Sequence, residues 1–279
     1  MYYNTVKEGL SFLKSLFIIT EFVAYLLGFG LLYYVIRRQA CKNICKSLGW
    51  NGLMVVSCIG TPLHELGHFL ACILFRHKIT SVSLFAPKKG RQTGEIGYVI
   101  HSYNKKSLYQ KSGNFFIGIA PMIFGIAAIL LLTQWLYPTY TASVIPKTTG
   151  TINFLFFKDI VINIVININK IFNLSNLATF QFWIYIFCII SIALNMSISL
   201  ADLKNCFAGI IQLFIMAFIV IFCVAMGSSD ISSFINALSM GLYYMIFGLI
   251  FGFIILIAIT IISYILLFLK KAILGTFKK

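Results

Sequence analysis

Leu53-Met-Val-Val-Ser-Cys58-Ile-Gly60-Thr-Pro62-Leu-His64-Glu-Leu-Gly-His68-Phe-Leu-Ala-Cys72-Ile-Leu-Phe75 is an almost wholly apolar run. At 1.5 Å per residue it is long enough, as one helix, to cross a hydrocarbon layer of roughly 30 Å. Its only ionisable groups besides thiols are His64, Glu65 and His68. The rest of the chain matches it. Of 279 residues, 60% are hydrophobic and 10% charged, where a soluble domain carries about 25% charged residues. A water-soluble globule and a disordered chain are both excluded on that balance. Continuous apolar runs, rather than alternating tens, exclude a β-barrel. The reading is an all-α polytopic membrane protein forming a single domain over 1–279. Six spans are expected, near 16–36, 53–75, 115–136, 180–200, 207–226 and 242–269. The polar-flecked stretch 153–172 is expected to be interfacial or re-entrant.

The formal charge of +15 comes from basic residues at the ends of apolar runs and in short loops. It suits anionic lipid and helix orientation, not nucleic acid. Arg76, Lys78, Lys88, Lys89, Arg91, Lys105, Lys106 and Lys111 place the 76–113 loop in the cytoplasm by the positive-inside rule. The 137–152 and 227–241 loops then lie outside, and the C-terminal lysines inside. Arg37, Arg38, Lys42 and Lys46 conflict with this scheme, because a loop between the first two spans would be external. The seven cysteines sit mostly in apolar runs and read as small hydrophobes.

His64-Glu65-Leu66-Gly67-His68 carries the chemistry. On a helix, positions i and i+4 share a face, so both imidazoles reach one ion. Glu65 is displaced by about 100° and reaches a water on that ion. Two imidazoles and a carboxylate suit one Zn²⁺ with an open position for water. The metal lowers that water's pKa, and Glu65 serves as general base. Ionisable groups inside lipid are costly unless used. Thr61-Pro62 is expected to cap and start a helix, leaving 55–60 as a separate or kinked piece.

The chain has seven acidic residues. Asp202, at the end of the fourth expected span, is the better-placed third ligand. Glu21, inside the first span, competes with it. His77 and His101 are alternative nitrogen donors that read as solvated loop residues. Ile79–Phe85 and Ile96–His101 are β-rich around the turn Pro87–Gly94, a hairpin directly after the motif helix. A free strand edge there would accept an extended substrate. Gly248-Leu-Ile-Phe-Gly252 is a G-x-x-x-G pattern expected to pack helices within the monomer.

His-Glu-Leu-Gly-His in a membrane helix, followed in a later helix by Asn195 and Asp202, resembles the site-2 protease family of intramembrane zinc metalloproteases. Gly94-Glu-Ile-Gly97-Tyr-Val and Ile119-Ala120-Pro121 resemble that family's glycine-bearing strand and third span. The likeness covers roughly 55–210, a protease-like core near 53–210 with additional helices at 16–36 and 242–269. It implies His64, His68 and Asp202 as zinc ligands, Glu65 as catalytic base, and Asn195 and Gly97 as substrate-binding residues. It also implies a membrane-associated protein or peptide as substrate, cut within or near the bilayer. The chain departs from the family pattern at Ile198, Ala201 and Leu203, and it has no regulatory PDZ-like insert. The competing reading is a non-catalytic metal-binding membrane protein or transporter, for which the spans supply few ionisable groups to line a path.

Overall fold

The structure, a computed structural model, describes residues 2–137, 154–226 and 231–276. The expected external loop 137–152 falls almost wholly outside the described residues, as do Asp230, Lys278 and Lys279. The elements are helix α1 (Tyr2–Ser57), α2 (Gly60–Leu74), strand β1 (Lys78–Ser83), α3 (Pro87–Thr93), β2 (Tyr98–Ser102), α4 (Leu108–Leu136), α5 (Phe154–Ile171), α6 (Leu174–Leu177), α7 (Phe180–Asn195), α8 (Leu200–Met226) and α9 (Ile231–Thr276).

Among the described residues, four helices are long and apolar enough to cross a membrane: the 15–57 part of α1, α4, the 200–223 part of α8 and the 236–273 part of α9. The expected six spans are corrected at two places. The 53–75 run is divided, its first residues finishing α1 and the remainder forming α2, a 15-residue helix about 22 Å long. The fourth expected span stops at Asn195, giving α7 only 16 residues. Both short helices bear on the site described below. The 231–241 segment, expected as external loop, is the first part of α9.

The basic stretch 37–48 is also not a loop. Its residues are good helix formers, and α1 runs through them until Gly49, whose φ of 76° and ψ of −179° break the helical path. Trp50 Nε1 donates to the Pro87 carbonyl at 3.3 Å, and Lys270 Nζ donates to the Lys46 carbonyl at 2.7 Å. The end of α1, the hairpin and the end of α9 therefore share one end of the bundle. The charge conflict of the sequence disappears, because no loop carries 37–46 to the far side.

Helix α1 packs along α9, and α4 lies between α8 and α2. Leu26, Tyr33, Met122, Ile126, Met196, Ile246, Leu249 and Leu256 are buried at the centre. Gly248 and Gly252 press on Ile126 of α4 and on Tyr33 and Met196, so this glycine pair packs within the chain. On α8, Phe207, Ile211, Ile215, Phe218 and Phe222 form an exposed apolar stripe at helical spacing, the face of a helix with lipid as its solvent. Helix α5 docks through Phe156, Ile160 and Ile164, and Asn163 Nδ2 donates to the Tyr243 hydroxyl at 2.7 Å. It is not among the four helices of membrane-crossing length and apolarity.

Strands β1 and β2 form an antiparallel pair, with an irregularity between Ile79 and Ser81. The expected turn is a short helix, α3, with Pro87 at its start and Gly94 at φ 80° closing it.

Candidate metal centre and substrate cleft

Helix α2 begins with Ile59 as N-cap and no capping side chain of its own. The expected cap, Thr61, lies inside the helix and donates its hydroxyl to Asn195 Oδ1 at 3.2 Å. Ser191 of α7 supplies the cap instead. Its Oγ accepts from the amides of Ile59 at 3.2 Å and Gly60 at 2.9 Å. Two otherwise orphaned donors of a buried helix start are thus satisfied from a neighbouring helix. This interaction fixes α2 against α7 one turn before the motif.

His64 and His68 project together from α2, with Nε2 atoms 3.2 Å apart. Asp202 Oδ1 lies 3.3 Å from His68 Nε2, and Oδ2 lies 4.0 Å from His64 Nε2. Two ligands on a tetrahedral zinc at about 2.0–2.1 Å stand about 3.3 Å apart. The donor set therefore fits such an ion. The surrounding hydrogen bonds fit it too. His64 Nδ1 bonds the Asn195 carbonyl at 2.7 Å, and His68 Nδ1 bonds the Ile117 carbonyl at 2.8 Å. A carbonyl only accepts, so each Nδ1 carries the proton and each Nε2 keeps its lone pair.

Asp202 does not end the fourth expected span. It sits in the first turn of α8, after the irregular residues 196–199. The Ser199 amide donates to its Oδ2 at 2.9 Å, while its own amide donates to Ser199 Oγ at 3.1 Å. This reciprocal cap holds the carboxylate with one oxygen toward His68. Helix α4 brings α8 this close because Gly118 has no side chain. A Cβ there would collide with the Asp202 carbonyl and Cys206 Sγ. Glu21 lies on α1, outside this three-donor group.

The centre opens into a cavity of about 460 Å³ whose wall includes Arg37, Glu65, Gly97, Tyr98, His101 and Asn195. Glu65 is buried. A Cβ on Gly97 would approach its Cγ to 2.6 Å and its Oε1 to 3.0 Å, so this glycine is where the hairpin backbone passes against the carboxylate. Residues 97–101 line the same cavity. The sequence reading missed Arg37. Its Nε donates to the Leu194 carbonyl at 2.8 Å and its Nη2 to Asn195 Oδ1 at 3.3 Å. Arg37 is the first of a basic stretch that follows the expected span 16–36, and nothing in that stretch marks it out from Arg38. Asn195 is buried, with Oδ1 shared between Arg37 and Thr61 and Nδ2 donating to the Ser191 carbonyl at 2.9 Å. Its side chain is engaged by scaffold partners on every polar atom.

His77 and His101 are not solvated loop residues. His77 is buried, and its Nδ1 lies 3.0 Å from His101 Nδ1. Burial holds both imidazoles below their ordinary range, His101 at about 4, where the neighbouring His77 pushes the same way.

No family model, curated protein or solved structure matches this chain.

Proposed function

We propose that the chain is an intramembrane zinc metalloendopeptidase acting on membrane-associated proteins or peptides, resembling the site-2 proteases. The observation that carries the reading is the convergence of His64, His68 and Asp202 from two helices on one point, beside Glu65 and a strand segment in one cavity. His64, His68 and Asp202 would hold one zinc. Bound there, zinc supplies Lewis acidity toward water and the scissile carbonyl. Glu65 takes the proton of the attacking water and returns it to the leaving nitrogen. A peptide must be extended before its carbonyl is accessible, and the backbone of 97–101 offers hydrogen bonds to an extended chain. Gly97 keeps that backbone close to Glu65. Asn195 is a positioning residue, orienting His64 through its carbonyl and holding Arg37 and Thr61 through its amide. The positive-inside rule puts the hairpin end of the bundle, and with it the cavity, toward the cytoplasm of a bacterial cell membrane.

The test uses the purified full chain in liposomes with quenched-fluorescence single-span peptides. Turnover that stops on chelation, resumes with zinc and falls at least about 10²-fold in Glu65→Gln supports the reading. Turnover at the wild-type rate in Glu65→Gln refutes it for the base. Zinc flux into sealed vesicles without cleavage replaces it with transport.

A further inference from the structure

A second group of donors lies one helical turn beyond His68. Cys72, His77 and His101 bring a thiol and two imidazole nitrogens within 4.8 Å of one another. Cys72 and His77 are buried, and His101 is partly so.

The chain builds this group through the way α2 ends. The His77 amide donates to the Cys72 carbonyl at 2.8 Å and the Arg76 amide to the Ile73 carbonyl at 3.0 Å. These are the paired bonds of a Schellman cap. Its left-handed residue is usually glycine. Here it is Arg76, at φ 55° and the one described non-glycine residue with positive φ, a conformation that costs a side-chain-bearing residue about 1 kcal/mol or more. The cap folds residue 77 back over residue 72. In most such caps those two positions make an apolar contact. Here they carry an imidazole and a thiol.

His101 arrives from the hairpin, where it stands opposite Ile79. The tautomers follow from the hydrogen bonds. His77 Nε2 lies 2.7 Å from the Gln110 carbonyl, so it carries the ring proton and Nδ1 is left with its lone pair. His64 and His68 are pinned in the same manner, one ring nitrogen on a backbone carbonyl and the other turned to a shared point. Tyr103 stacks on the His77 ring, with centroids 5.1 Å apart and planes at 19°, which fixes its tilt. The Nδ1 atoms of His77 and His101, 3.0 Å apart, stand near the separation of about 3.3 Å that two imidazoles take on one tetrahedral ion. One sulfur and two nitrogens make a donor set suited to zinc. A neighbouring cavity of about 430 Å³, lined by His101, Tyr103, Asn114 and Asn205, gives water access to a fourth position.

We propose that Cys72, His77 and His101 form a second zinc site, separate from the motif site, that clamps strand β2 to the end of the motif helix. Gly97 and His101 belong to the same segment of chain, so a metal at this site would fix the strand that passes Glu65. The proposal does not depend on the proteolytic reading, since the two sites share no ligand.

The experiment measures bound metal in the purified full chain, saturated with zinc and passed over a chelating resin. About two zinc ions per chain are expected. Cys72→Ser and His101→Gln should each hold about one, and each combined with Asp202→Ala should hold none. Loading with Co²⁺ gives a second readout that needs no variant at this site. The motif site has no sulfur ligand, so a near-ultraviolet thiolate-to-cobalt band in His64→Ala reports the second site alone. That band should be lost in Cys72→Ser, although six other cysteines remain. One zinc per wild-type chain that Asp202→Ala removes, or no thiolate band in either wild type or His64→Ala, overturns the proposal and leaves a histidine–histidine hydrogen bond. Loss of motif zinc with the thiolate band kept would instead count against the first site alone.

Discussion

The two histidine pairs differ in how they are made. His64 and His68 are four residues apart on one helix, so local geometry alone puts them on one face. His77 and His101 are 24 positions apart and meet because a helix cap turns one back and an antiparallel strand delivers the other. In each pair one ring is buried and the other partly exposed. In both, at least one ring is oriented by a main-chain carbonyl. Main-chain carbonyls orient His64, His68 and His77 whichever way the pair is assembled, whereas spacing in the sequence reveals only one of the two pairs.

The largest expected effect breaks the first pair's partner. Asp202→Ala should lose motif zinc and all turnover, because Asp202 both faces His68 and caps α8. Glu21→Ala should keep both; zinc lost from Glu21→Ala instead would move the third ligand to α1. Glu65→Gln leaves the three donors untouched and should retain zinc, while turnover falls by about 10²–10⁴-fold, the usual contribution of a general base; metal analysis beside initial rates separates the two variants. Gly97→Ala sharpens the contrast between the pairs. It should cut turnover by about 10²-fold through displacement of Glu65 or the strand, with zinc content unchanged. Arg37→Gln removes charge-assisted bonds to Leu194 and Asn195, and a loss of about tenfold is expected, the equivalent of one such bond. If Arg37→Gln changed KM alone, the arginine would contact substrate instead of orienting Asn195.

The smallest effect is a pH dependence confined to the second pair. In the metal-free chain His77 and His101 are held below the ordinary histidine range by burial. An undocked hairpin therefore binds protons first as pH falls. Docking is fully favoured above about pH 6.5, the value for a free histidine, and is lost progressively toward about 4. Spin labels on β2 and α2 would show their separation increase over that window, and His101→Gln should flatten the profile.

Much of the candidate site was legible because it is local. The motif and the glycine pair of α9 follow from short spacings, and Gly97 from the likeness of 94–99 to a known family's glycine-bearing strand. The errors arose where distant segments decide. The 37–48 stretch looked like a loop because basic residues usually mark one, yet nothing in it breaks a helix before Gly49. Thr61 looked like a cap, but Ser191 of α7 takes that position, a partner 131 residues away that no local pattern signals. Asp202 could be shortlisted among seven carboxylates, but not placed.

By itself the sequence determined that this chain prefers lipid to water, and that two imidazoles and a carboxylate share one turn of helix. Both follow from composition and helical period, which need no partner. Only the tertiary structure decided which carboxylate faces those imidazoles, that an arginine of the first helix reaches the cleft, and that Cys72, His77 and His101 meet. Those outcomes depend on close backbone approach at Gly60, Gly97 and Gly118 and on an irregular turn at 196–199, where packing between remote segments outweighs local preference.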